Sequence, residues 1–188
     1  SKAGKMKHWK YLIGIVLLLA AVSLPKFLGI YYLQILNIVL IYAVYALSWD
    51  MLMRSGQLSF GIAGFAGIGG YVSVLCSYYF HINPILSILA GAVFAMLVAV
   101  LVGTAVLRLR LLYFAIVTLA IGEIFRIIIR NLEFTGGAEG MILKNAIFNG
   151  EAASTYWLML VIGVLTIIIS ILFQKSRMRF ALTAIAND

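Results

Sequence analysis

Long apolar stretches separated by short polar or basic punctuation run through most of this chain. A helix rises about 1.5 Å per residue and needs about 20 apolar residues to cross a hydrocarbon core. Six segments reach or approach that length, at about residues 11–28, 30–53, 57–80, 84–107, 112–130 and 156–173. The first has only 15 residues between Lys10 and Lys26 and relies on its ends snorkelling. From Ser55 to Leu107 there is no Asp, Glu, Lys or Arg in 53 residues, too long for one span and long enough for two. His81-Ile-Asn-Pro84 supplies the break, because Asn and Pro favour a turn and Pro84 loses no intrahelical bond at a helix start. Asn131 to Thr155 reads as an exposed polar loop before the sixth span. The pattern predicts an all-α polytopic membrane bundle, one domain over residues 1–188.

Within this pattern, Arg54 to Ser73 stands out. Gly61, Gly64, Gly67 and Gly70 occupy every third position of an apolar run, with Ala63 and Ala66 beside them. Residues three and four apart share a helix face, so these positions form a ridge almost free of side chains. In water each glycine would cost a helix about 0.8 to 1.0 kcal/mol relative to alanine. In lipid the backbone must bond to itself, and small residues become sites of tight helix packing. Two readings follow: a packing ridge, or a broken element lining a pathway. The polar residues Gln57 and Ser59 keep the second in play, and Gly56-Gln57-Leu58-Ser59 is where an irregular turn is expected.

Composition agrees with the membrane reading. Hydrophobic residues make up 64% and charged residues 11%, with mean hydropathy +1.11, against roughly 45 to 50% and 25% in soluble domains. Lys and Arg total 14 against 6 acids, a formal charge of +8, and they cluster at the ends of apolar runs. Six alternating spans with a cytoplasmic N-terminus put Lys2, Lys5, Lys7, Lys10, Arg54, Arg108, Arg110, Lys175, Arg177 and Arg179 on the cytoplasmic side, and Lys26 and Lys144 opposite. This is the positive-inside bias, and both termini are then cytoplasmic. Such a charge distribution suits an anionic bilayer surface and argues against nucleic acid as a partner.

Arg126 and Arg130 break the bias by falling toward the outer end of the fifth span. Glu123 and Arg126, three apart, can pair on their own helix. An ionisable pair inside a membrane is costly and marks a functional candidate. The alternative is an interfacial ladder of Arg126, Arg130 and Glu133 at the rim.

Other chemistry is sparse. Cys76 is single, and His8 and His81 lack neighbours that would complete a metal set, so no metal site is expected. Neither a phosphate loop nor a nucleophile with a base at helix spacing is present, so no catalytic residue is assigned. Lys2 to Leu24 has the charge and apolarity of a signal peptide, but without a convincing cleavage site it reads as a first membrane helix. Near the C-terminus, Phe180, Leu182 and Ile185 fall near one face of a short helix after Arg177 and Arg179. That helix either lies on the membrane or docks into a cytoplasmic partner.

Four blocks in order carry a resemblance. They are Gly56-Gln-Leu-Ser-Phe-Gly61 with Phe65-Ala-Gly-Ile-Gly-Gly-Tyr71; Leu107-Arg-Leu-Arg110 with Tyr113 to Ile124; Thr135-Gly-Gly-Ala-Glu-Gly140; and Ser176 to Ile185. Together they resemble the permease subunits of branched-chain amino-acid ABC transporters, closer to the M-type than the H-type of the pair. The likeness spans about Leu36 to Asp188. Departures fall at Arg179 and Leu111, where the family usually has Gly, and at Ala138-Glu139, where it has Pro-Asn.

The resemblance implies an importer in a bacterial or archaeal cytoplasmic membrane, built from this permease, a second permease subunit, two cytoplasmic ABC ATPases and a periplasmic solute-binding protein. ATP would be bound on the ATPases, with no cofactor on this chain. Gln57, Ser59, Thr118 and Glu123 are then candidates for the translocation pathway. Residues 174–188 would begin the coupling segment, with Arg177, Arg179, Phe180, Ala181, Leu182, Ala184 and Ile185 against the ATPase. Family members continue beyond this segment, so the chain reads as a truncated permease. A non-transporting structural subunit and a secondary carrier are the alternatives.

Overall fold

The computed structural model describes residues 2–143 and 146–176, with backbone alone for residues 2–11 and Leu111. Six α-helices follow in order: α1 (Lys2–Ser23), α2 (Ile30–Arg54), α3 (Ile62–Phe80), α4 (Pro84–Val106), α5 (Leu111–Asn131) and α6 (Ala152–Lys175). No strand occurs among the described residues. Helices α2 to α6 are each long and apolar enough to cross a membrane, whereas the apolar helical stretch Leu12–Lys26 is shorter. This is a multi-pass membrane bundle.

Local chemistry sets the helix ends. Pro84 occupies the first turn of α4, and the Asn83 side chain accepts from the Ile85 N–H at 3.0 Å, so a turn signal and a cap coincide. Helix α6 starts at Ala152, four residues before the expected Tyr156. Glu151 precedes it, accepting from the Thr155 N–H at 3.1 Å through its carbonyl and from the Ser154 hydroxyl at 2.6 Å through its carboxylate. Helix α3 starts at Ile62 rather than at Gln57, because the preceding residues are committed to ending α2.

The burial pattern is inverted relative to a soluble protein. Ser55, Gln57, Ser59, Ser87, Thr118, Thr135 and Ser170 are buried, while large apolar side chains, mostly Leu, Ile and Val, cover the outside of α2, α4, α5 and α6. Lipid is as apolar as leucine, so nothing drives large side chains inward, and close backbone approach takes over. Helices α3 and α4 meet through Gly69 and Ser73 on one side and Gly91 and Ala95 on the other. A Cβ placed on Gly91 would run into the Ser73 hydroxyl and the Gly69 carbonyl. Helix α2 packs mainly on α6. Helix α6 also reaches the end of α1, where the Tyr156 hydroxyl donates to the Ala21 carbonyl at 2.8 Å and the Trp157 indole to the Val22 carbonyl at 3.3 Å.

The loop after α5 folds back over one end of α3 and α4. Thr135 is buried and donates to the carbonyls of Ile129 at 2.5 Å and Leu132 at 2.7 Å, closing the end of α5. The Tyr79 hydroxyl donates to the Phe134 carbonyl at 3.1 Å, tying α3 to the loop.

Gly91→Val would overpack the α3/α4 contact and is expected to cost about 1 to 3 kcal/mol. Gly163 has open space around it, so Gly163→Ala is expected to leave stability unchanged or slightly raised. Denaturant midpoints of the purified variants in detergent test this, and equal behaviour of the two would remove the α3/α4 approach as a stability determinant.

Candidate functional site

The site grows from the break between α2 and α3. Gly56 adopts φ +83, a left-handed conformation that glycine takes without strain. With it, the Gly56 N–H donates to the Met53 carbonyl at 3.1 Å and the Gln57 N–H to the Leu52 carbonyl at 3.2 Å. This paired pattern is a Schellman stop. Ser55 closes the same turn, its hydroxyl donating to the Leu52 carbonyl at 2.6 Å.

The chain then crosses residues 57–61 without regular helix, and burial at Gln57 and Ser59 keeps solvent from the backbone groups the helix no longer pairs. Neighbouring side chains take them up. The Ser59 carbonyl accepts from the Trp49 indole at 2.8 Å, and the Ser59 hydroxyl accepts from the Gly61 N–H at 3.2 Å. Thr118 on α5 accepts from the Phe60 N–H at 3.1 Å and donates to the Ala115 carbonyl at 3.0 Å. Its hydroxyl thus joins α5 to the break. The Gln57 Oε1 is buried without a hydrogen-bond donor among the described residues.

Above this polar knot α3 and α5 touch through small residues. A Cβ on Gly61 would lie 2.8 Å from the Thr118 carbonyl oxygen, and one on Gly64 would lie 2.8 Å from the Gly122 Cα. Phe65 and Phe125 meet edge to face with centroids 5.8 Å apart. Beside that contact a half-open cavity of about 330 Å³ runs between the helices, walled by Phe60, Ala63, Leu119 and Phe125, with Glu123 and Arg126 on its α5 side. Arg126 Nη1 lies 3.2 Å from both Glu123 carboxylate oxygens. The two side chains are 55% and 61% exposed, Glu123 the less, so the pair faces outward from the chain. Gly67 and Tyr71 also line a second cavity of about 410 Å³ that ends at Glu139, Gly140 and Met141 of the folded-back loop.

Of the expected pathway residues, Gln57, Ser59 and Thr118 are gathered at the break and buried, while Glu123 alone of the four lines the cavity. Its partner lies on its own helix, and Arg126 is bound to Glu123 rather than to Glu133.

The packing ridge of four glycines needs correction. Gly61 and Gly64 pack against α5, but Gly67 and Gly70 have open space where a Cβ would stand and line cavities instead. A three-residue repeat slips about 60° around a helix with each step, so the four cannot face one neighbour. Gly69, Gly91, Gly122 and Trp49 were missed. Thr118-x-x-x-Gly122 and Ser87-x-x-x-Gly91-x-x-x-Ala95 are small residues at four-residue spacing, a signal visible in the sequence. The expected coupling residues Arg177, Arg179, Phe180, Ala181, Leu182, Ala184 and Ile185 lie outside the described residues.

Apolar spans joined by an unwound connection, with an ion pair beside an open groove, define a polytopic membrane protein of the all-helical class. Residues 31–188 match the family described as the branched-chain amino acid transport system / permease component, and the chain belongs to that family. It is 35% identical over 150 residues to the high-affinity branched-chain amino acid transport system permease protein LivM of Escherichia coli (strain K12), covering 75% of this chain and 34% of that protein. It is also 35% identical over 144 residues to LivM of Salmonella typhimurium, covering 72% and 33%. The chain therefore spans about a third of the length of these relatives. No solved structure matches it.

Thr118→Val keeps the shape of the side chain but strands the Phe60 N–H, and is expected to cost about 1 to 3 kcal/mol. Thr118→Ser retains the hydroxyl and should stay near wild type. Unfolding midpoints in detergent distinguish the two; a stable Thr118→Val protein would show that the break does not depend on this bond.

Proposed function

We propose that the chain forms part of the membrane permease of an ATP-driven importer for branched-chain or related amino acids. It works with a second permease subunit, two cytoplasmic ATPases that hydrolyse the ATP, and a periplasmic binding protein that delivers the solute. The protein resides in a bacterial or archaeal cytoplasmic membrane with residues 55–61 and 107–110 on the cytoplasmic side. The positive charges at Arg54, Arg108, Arg110 and Lys175 favour this orientation.

The observation that carries the reading beyond family membership is the groove between α3 and α5. Its Glu123–Arg126 pair is exposed on a largely apolar helix whose other charge, Arg130, lies in the last turn. Placing a charged residue at the centre of a lipid-facing helix costs about 2.5 to 3.5 kcal/mol on insertion scales, and such residues face a bundle interior or an aqueous route. The α5 face is accordingly turned toward a partner or a pathway. The buried knot of Gln57, Ser59 and Thr118 supports that route from behind, by fixing where α3 begins.

Coupling is assigned to residues 174–188. Phe180→Asp combined with Leu182→Asp in the whole permease is expected to reduce co-purification of the ATPase pair at least tenfold while leaving the permease in the membrane. Undiminished association would send this segment to the membrane surface and leave the coupling role without support.

A further inference from the structure

We propose that the groove between α3 and α5 is a binding site for a single amphipathic amino-acid zwitterion, with Glu123 receiving its ammonium group and Arg126 its carboxylate. This assignment rests on the importer reading above and names the place where the solute is held. Three observations converge on it.

The first is charge. Glu123 and Arg126 lie side by side, 3.2 Å between Nη1 and Oε2, and both line the open side of the groove, where their charged ends stay accessible. The pair is neutral overall. A lone cation would meet Arg126 and a lone anion would meet Glu123, each at a repulsive cost that offsets its attraction to the other partner. A molecule carrying both charges, close together, satisfies both. Arg126 contacts Glu123 through one terminal nitrogen, and the guanidinium fork has further donors that suit a carboxylate.

The second is shape. The cavity of about 330 Å³ stands at the small end of the roughly 300 to 1,000 Å³ range of ligand sites. That size suits one amino acid rather than a peptide. Phe60, Ala63 and Leu119 give it apolar walls, and Gly67 leaves open space where any other residue would project. An aliphatic side chain is accommodated there, beside the charged pair and in the same cavity.

The third is position. Glu123 stands twelve residues into α5, about 18 Å along the axis at 1.5 Å per residue. A hydrocarbon core is about 30 Å thick, so Glu123 sits just past its middle and Arg126 about one turn nearer the outer face, within the depth at which secondary transporters hold solute. The second cavity, sharing Gly67 and Tyr71, extends from this level to the loop at Glu139, on the side from which the binding protein would deliver.

The test uses the complete transporter containing this permease, reconstituted in proteoliposomes with its ATPases and binding protein, with L-leucine uptake as the readout. Glu123→Gln and Arg126→Gln are each expected to lower uptake at least tenfold with subunit assembly unchanged. The exchanged pair, Glu123→Arg with Arg126→Glu, keeps an ion pair on the helix but misplaces both charges, and it should be equally impaired. Uptake within twofold of wild type for the exchanged pair would show that the two residues only stabilise α5, and would overturn the site. In a Cys76→Ala background, Gly67→Cys should be shielded from thiol alkylation at least fivefold by L-leucine. Neither 4-methylpentanoate, without the ammonium, nor 3-methylbutylamine, without the carboxylate, should shield it. Equal shielding by all three, or by none, would also overturn the site. A wild-type transporter that carries no amino acid would overturn the importer reading itself, and the site with it, which separates the two failures.

Discussion

Backbone hydrogen bonding in a medium without water governs this chain. An apolar run in lipid stays helical because each N–H and C=O finds its partner inside the segment. Wherever the helix is interrupted, another group must supply what the helix no longer does. The interruption between Arg54 and Ile62 shows the consequence. Gly56 ends α2 by returning two N–H groups to α2 carbonyls, and Trp49, Ser59 and Thr118 take up groups on the stretch that follows. The buried polar residues are therefore the structural centre of the bundle, while the large apolar side chains form its coat.

Small residues do the rest of the work of assembly. Gly64 against Gly122, and Gly69 against Gly91, bring pairs of helices to backbone contact. Dispersion between well-fitted surfaces and the shortness of the gap replace the hydrophobic drive that a soluble bundle would use. The same feature opens the groove. Where α3 carries glycine but has turned away from α5, at Gly67, space remains instead of contact.

Much of this was legible in the sequence. The all-helical architecture follows from apolar length, although α3 begins at Ile62 and α6 at Ala152 rather than where the apolar runs begin, and the α3/α4 turn follows from Asn83 and Pro84. The irregular stretch at Gly56 to Ser59 was expected because glycine and polar residues interrupt an apolar run there. The first helix was harder to place, since its apolar part is short and its lysines blur the boundary. The facing of individual glycines was not legible from one helix alone. Spacing defines a stripe, but which neighbour meets it depends on the partner helix, and here Gly61 and Gly64 meet α5 while Gly69 meets α4. Nor did the sequence show that Ser59 and Thr118, 59 residues apart, meet at one backbone junction. Long-range contacts between small polar side chains leave no periodic trace.

The position of Glu123 links the two halves of this account. Its ion pair and the Thr118 hydroxyl belong to one helix, little more than a turn apart, yet they face different demands. Thr118 is buried and holds the break through which α3 begins, whereas Glu123 and Arg126 are turned outward beside open space. A helix fixed at one level by a satisfied backbone junction can carry charges at the next level with little freedom to rotate, because turning α5 to hide the pair would pull Thr118 from Phe60 and Gly122 from Gly64. The buried junction thus determines which way the charged face looks. It also follows that the groove and the break are not separable features: movement of the stretch at residues 55–61 would be transmitted to the walls of the cavity through Phe60, which is bonded to Thr118 and lines the groove as well.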